Sequence, residues 1–531
     1  MAQGSANFNI LSNIISGRDD SGTATEAAMT PEGHLEVAIH GPRMPFGEVH
    51  TESVEAAFQC DAVYGINSTN VVATTGIVGG GSTSATTTGT NNLFKCSTGT
   101  TALSFATIQS RKRLRYRPGQ GVIGRFTALW SAPAANSIVV AGLGTSESGY
   151  YFGYNGTSFG ILHSTGGVRE IQTLTVTVGA TSATNVTITL DGIAHTVPVT
   201  NSSSTTKTAF EIASFTYTGF KATQRGATVV FVADSVGNRS GAFTYDAGTS
   251  GSTASFAETL AGVAATDTWI SQSNWNGDKL DGTGATGVTL NPSNGNVFQI
   301  DVQYLGFGGV VFKVEVCPSG NNPDWVVVHT IASPNTRTTP TMSQPSFPFT
   351  MAAYSAGSTT DVSVSSASFA GFIAGQKKLT GPRMTYPVTT SGFVGSTAST
   401  YYPLFTVRNE LVFNSRANQA IVNLLSLSAS HDDATPVTVY LIKNATLAGT
   451  PSFQAFSTNS CTYWDRAATT CTITNNEQIV FSFCLAATSS GAFSFTDEIT
   501  IQPGETLTLA AAAVTGTATY VIGSLNTRED H

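Results

Sequence analysis

The sequence predicts a mainly β protein of several domains, and three observations carry that prediction. Only 11% of the 531 residues are charged, 40% are hydrophobic and 53 are glycine; a disordered chain carries more charge, and a helical one shows Ala, Glu, Lys and Leu at helical spacing. Short runs of Val, Ile, Thr, Phe and Tyr alternate with clusters of Gly, Asn, Asp and Ser, which is the pattern of strands between turns. The length exceeds what a single core holds, so three or four domains are expected. The architecture that follows is a β-sandwich or jelly-roll host domain, a small α+β insertion within it, and a C-terminal β-sandwich.

In chain order, residues 1–55 are polar and punctuated by Gly and Pro, with one good strand at 34–40. Such a segment buries little of its own surface and is expected to be an extended docking arm ordered by neighbours. The host domain is expected at 56–170 and 265–384. Its first part has strands at 56–66, 103–108, 137–144 and 149–154, an exposed Gly/Ser/Thr loop at 76–92, and the hairpin signal Asn155-Gly156. The insertion, 171–264, has strands at 173–177, 185–190, 194–199 and 227–233, an Asp191-Gly192 turn and a helix at 205–213, enough for an independent domain. The host resumes with alternating strands at 297–304 and 310–316, then 325–331 and 360–374, with a bridging loop at 340–348. The last unit, 401–531, shows eight short strands at regular spacing: 410–414, 420–429, 437–443, 470–473, 478–485, 499–501, 506–512 and 518–525. That spacing suits a sandwich.

The most distinctive stretch is 109–130, QSRKRLRYRPGQGVIGRFTALW. In an extended strand Arg113, Arg115 and Arg117 share one face and Leu114 and Tyr116 the other. Pro118-Gly119 suits a turn, and the segment reads as a hairpin with 122–130. Arg111, Arg113, Arg115 and Arg117 are therefore the candidate interaction residues. They would meet carboxylates of this chain, a neighbouring subunit or another acidic partner. The net charge of −8 and the lack of a second basic cluster argue against nucleic acid.

No catalytic or cofactor site is expected. Residues 156–160 match G-x-S-x-G, but a strand follows where an esterase elbow needs a helix, so Ser158 reads as a turn residue and His163 as a packed one. His431-Asp432-Asp433 is the best local metal candidate and reads more simply as a loop tip. Residues 278–284, DKLDGTG, lack the ligand order of a calcium loop and read as a structural turn. The six cysteines form no C-x-x-C pair; a disulfide between Cys461 and Cys471 across a hairpin is left open. There is no signal-peptide pattern and no run of about 18 apolar residues. The expectation is a protein made in a cytoplasm and not inserted in a membrane.

Four segments, RKRLRYRPGQGVIGRFTALW, GYYFGYNGTSFGILHSTGGVREI, NWNGDKLDGTGATGVTL and FQIDVQYLGFGGVVFKVEV, together resemble a virion structural protein family of tailed bacteriophages, with similar segments in large DNA viruses. The resemblance covers roughly residues 107–373. The insertion is similar to small domains of phage tail and fibre proteins, and the C-terminal TIQPGETLTLAA segment to sandwich domains at the ends of phage surface proteins. The resemblance implies a non-enzymatic virion subunit with no catalytic residues, placed in the tail, baseplate or fibre apparatus. Its partners would be copies of itself, as a trimer by analogy, other virion proteins, and host surface polysaccharide. The alternatives are a capsid decoration or vertex protein and, as an enzyme, a polysaccharide depolymerase with a carbohydrate-binding domain.

Overall fold

The computed structural model describes residues 17–18, 24–25, 54–77, 86–318, 323–342, 345–374, 381–395, 400–496 and 499–530. The chain divides into two compact units, residues 1–53 and 54–531. In the first, Gly17–Arg18 pairs antiparallel with Ala24–Thr25; the strand expected at 34–40 lies outside the described residues. The second unit is almost wholly β and holds three lobes.

The host lobe is a sandwich of two sheets. One sheet runs, in spatial order, Thr266–Ser271, Ser158–Thr165, Gly149–Asn155, Ser137–Gly144, Phe349–Ser355, Ser104–Ser110, Val71–Ile77. The other is centred on Gly121–Trp130, which lies between Asn296–Val302 on one side and Ser363–Ser366 and Ser368–Ala374 on the other. Alternation explains the core: the inward residues of both sheets are large and apolar, and their rings interlock. Phe152 stands 4.8 Å from Phe298, Phe126 5.3 Å from Phe349, and Phe349 4.2 Å from Phe369. Each such ring, removed from water, contributes about 1.5–3 kcal/mol.

Several sequence expectations shift here. The basic segment does not form a hairpin with 121–130. A turn does close at Pro118-Gly119, with Gly119 at φ 87° and Gln120 N donating to the Arg117 carbonyl at 3.0 Å. The chain before it, however, pairs elsewhere: Leu114–Arg115 with Ser346–Phe347, inside the segment expected to be a loop. The Gly/Ser/Thr segment contains the strand Thr86–Thr90, paired with Leu93–Ser97. Thr and Gly there are tolerated because the partner strand supplies the ladder and Phe94 and Cys96 the burial.

The inserted lobe packs a four-stranded sheet, Phe220–Arg225, Thr228–Val236, Arg169–Val178, Thr253–Leu260, against a three-stranded sheet and one helix. The helix is Thr205–Ala213, as the sequence predicts. The Ser204 side chain caps it by accepting from Lys207 N at 3.2 Å, and Ala209 and Ile212 turn into the core beside Leu174, Ile188 and Phe231.

The C-terminal lobe is a second sandwich. Its five-stranded sheet is ordered Arg383–Gly395, Thr517–Asp530, Ile421–His431, Ser489–Ser494, with Thr500–Ile501 beside Ile421–His431. The six-stranded sheet runs Gln454–Ala455, Thr462–Asp465, Tyr402–Asn409, Thr506–Ala513, Val437–Lys443, Ile479–Leu485. The lobe thus begins at Arg383 and takes in residues that the sequence assigns to the host and to a break before 401. Among the described residues, no helix is long and apolar enough to cross a membrane.

Candidate functional site

Several ion pairs of this low-charge chain lie where the three lobes meet. Along residues 111–117 the side chains alternate as expected: Leu114 and Tyr116 are buried in the host core, while Arg113, Arg115 and Arg117 emerge on the other face. That face meets the chain's own C-terminal lobe. Arg111 Nη1 bonds Glu505 Oε1 at 2.8 Å, and Lys443 holds the other oxygen of Glu505 at 2.8 Å. Arg117 pairs with Asp530 at 3.1 Å. Arg113 donates to Gln419 Oε1 at 3.4 Å, and the Gln419 amide donates to Glu147 Oε2 at 2.6 Å. Glu147 is buried and also pairs with Arg169, at the root of the insertion, at 2.8 Å.

Electrostatics marks how dry this junction is. Burial, followed by the positive charge of Arg169, pulls the Arg113 guanidinium down to about 10, against the opposing pull of Glu147. Arg115 is likewise lowered, first by burial, with Asp530 opposing. The acidic partners expected for this strand are thus supplied within the chain, by Glu505 and Asp530 of the C-terminal lobe and by Glu147 of the host lobe.

A second network, which the sequence reading did not single out, joins the insertion to the C-terminal lobe. Glu410 is fully buried. It takes Arg408 at 2.7 Å, Arg225 at 3.5 Å, the Thr223 hydroxyl and its neighbour's Leu411 N at 2.8 Å. Arg408 also donates to the Gln224 carbonyl and lies 3.9 Å over the Phe453 ring. Around the ions, Ile171, Val230 and Val232 of the insertion close an apolar patch with Leu411 and Val412. The signal for this site was present as VRNEL, two charges amid strand residues in a chain with little charge. Their partners, Arg225 and Thr223, are some 190 positions away and carry no local mark.

The sites that the sequence set aside have ordinary structural roles. Ser158 is exposed at the start of its strand, opposite Asn155 across the turn made by Gly156 at φ 58°. His163, an odd number of residues further on, lies on the other face. It is buried, stacks 4.9 Å from Tyr150 and places Nε2 3.1 Å from the Thr341 carbonyl. Asp278 spends its oxygens inside its own turn, on Leu280 N at 2.9 Å and on Thr286 N and Oγ1 at 2.8 Å. His431 is buried with Nε2 2.6 Å from the Thr435 carbonyl. Among the described residues, no group of three or more His, Cys, Asp or Glu side chains is placed to hold a metal ion. Cys461 and Cys471 are free thiols, because they do not face each other: Cys461 belongs to the sandwich core and Cys471 lies beside Tyr401 in a separate apolar cluster.

The outer face of the five-stranded C-terminal sheet has a concavity of about 370 Å3, lined by Ser428, Ser430, Ser490, Ala492, Ser524 and neighbours, none of them aromatic or ionisable. It offers hydroxyls but neither a stacking ring nor a carboxylate pair for sugar chemistry. No family model and no curated protein matches the chain.

Proposed function

We propose that this chain is a non-enzymatic structural subunit of a tailed-phage virion, working in the tail, baseplate or fibre apparatus. The observation that carries the reading is the junction: three β lobes are joined through buried, mutually bonded ions and an apolar patch. Several of the chain's ion pairs bridge one lobe to another, which suits a part that keeps its shape under load and presents β surfaces outward. The four ordered segments that resemble virion proteins point the same way, and they fall on the host sandwich that anchors the other lobes.

Mass spectrometry of gradient-purified virions, paired with antibody labelling in the electron microscope, tests the reading. The expected result is the protein in intact particles with label on the tail. Label over the capsid lattice makes it a decoration protein, and absence from purified particles removes the virion assignment. Incubation of the purified protein with host envelope polysaccharide is expected to release no new reducing ends.

A further inference from the structure

The two sheets of the C-terminal sandwich end side by side in strands that have no outer neighbour among the described residues: Ile479–Leu485 in one sheet and Ser489–Ser494 in the other. A short turn joins them, yet they do not pair with each other; each bonds inward, to Val437–Lys443 and to Ile421–His431. Between them an aromatic seam shows at the mouth of the sandwich. Phe481 lies 5.0 Å from Phe493 and 5.2 Å from Phe495, and Phe483 lies 4.7 Å from Phe493. Phe493 is 37% exposed and the other three are half-buried.

A free edge is a template for pairing, and monomeric β proteins blunt such edges with charge, proline or brevity. The opposite edges of these same sheets follow that rule. Arg383–Gly395 carries Arg383 and Pro387, and Gln454–Ala455 is two residues long. The edge at 479–496 has none of these devices: eighteen consecutive residues contain no Asp, Glu, Lys, Arg or Pro.

We infer that this edge is where a second copy of the chain docks, strand against like strand about a two-fold axis. Charge decides in favour of a copy. Two molecules of net charge −8 repel on average, and a neutral strip is a place where they meet without like charges in contact. A two-fold pairing sets the strip on itself, so neutrality on one side guarantees it on the other. Antiparallel pairing continues both sheets across the axis, satisfies the free backbone groups and buries the Phe481, Phe483, Phe493 and Phe495 seam. The inference rests on the edge alone and holds whether or not the chain is a virion subunit.

The test uses the full-length protein in sedimentation equilibrium. The expected result is twice the monomer mass for the wild type. Ser482 and Cys484 are exposed on the outer side of the edge strand, away from the seam, so Ser482→Lys with Cys484→Lys sets cations against cations across the axis while leaving the core intact. The double variant is expected to sediment as a monomer with an unchanged thermal melt. A monomeric wild type overturns the inference, as does a wild-type oligomer, a trimer included, whose mass the lysines do not alter. Should the lysine variant unfold, disulfide trapping decides in its place. In a Cys317→Ser background, mild oxidation is expected to give a cross-linked dimer from Cys484, or from Ser482→Cys with Cys484→Ser. No dimer from either position sinks the two-fold pairing.

Discussion

Glu410 concentrates the energetics of this molecule in one carboxylate. Burial by itself pushes its pKa up, but the guanidiniums of Arg408 and Arg225, with the donors from Thr223 and Leu411, outweigh that and hold it below the ordinary carboxylate value. Glu410→Gln leaves two guanidiniums short of their counter-charge in a site sealed by Phe453 and Leu411, and is expected to cost about 3–5 kcal/mol in urea unfolding. Replacing the ions together, with Arg408→Met beside Glu410→Gln, is expected to recover part of that loss, because no unpaired charge then remains between those two positions. The pH dependence has a definite sign. A depressed folded pKa means that the stabilisation is fully present above the ordinary glutamate value of about 4.3 and fades as pH falls through the lower folded value. Urea midpoints of the wild type and Glu410→Gln are therefore expected to differ at pH 7 and to converge in acid. Curves that stay parallel to pH 3 would show that the carboxylate does not carry this stability. Thiol chemistry sorts by burial in the same way. Cys317 and Cys484 are exposed and are expected to react promptly with a thiol reagent in the native state. Cys60, whose thiol burial raises to about 11, and the buried Cys96, Cys461 and Cys471 are expected to wait for unfolding.

At the scale of the element, the segment 156–160 shows why glycine placement and not chemistry sets a G-x-S-x-G match here. Gly156 supplies the positive φ of the hairpin turn, and a Cβ on Gly160 would stand 2.3 Å from the Ile270 carbonyl on the neighbouring strand. Gly160→Ala must therefore push Thr266–Ser271 outward and is expected to cost about 1–3 kcal/mol, whereas Ser158→Ala, exposed beside the turn, is expected to change stability by less than about 0.5 kcal/mol. Equal effects in thermal melts would contradict this assignment. Elements with a strong local pattern were legible in the sequence: the alternating strands 137–144, 310–316 and 437–443, and the capped helix 205–213. Strands that take their identity from a partner were not. Arg383–Gly395 contains Pro387 and two glycines, and becomes a strand because Thr517–Asp530 lies beside it. The basic segment was legible as two faces, since Leu114 and Tyr116 do turn inward, but not as a junction, since its bonding partners Gln419, Glu505 and Asp530 are all more than 300 positions downstream.

At the scale of the whole molecule, the insertion is a structural member rather than a passenger. A module plugged into a loop is commonly removable, because its ends are close and its core is its own. Here the core is indeed its own, yet one sheet face is shared: Ile171, Val230 and Val232 cover Leu411 and Val412, and Arg225 and Thr223 complete the ligands of Glu410. Replacing residues 171–264 by a short linker exposes two aliphatic side chains, each contributing about 1.5–3 kcal/mol when buried. It also strips a fully buried carboxylate of two partners. The loss falls on the C-terminal lobe, which the deletion does not touch. In calorimetry, that lobe is expected to unfold together with the insertion in the intact chain and at a lower temperature in the deletion variant. Adding Leu411→Ser, Glu410→Gln and Arg408→Met to the deletion is expected to restore part of the difference, because Val412 is then the one aliphatic side chain left of the exposed pair and no ion is left half-paired. A deletion that leaves the melting of the C-terminal lobe unchanged would mean that the shared face is contact without coupling, and that the lobes are stable separately.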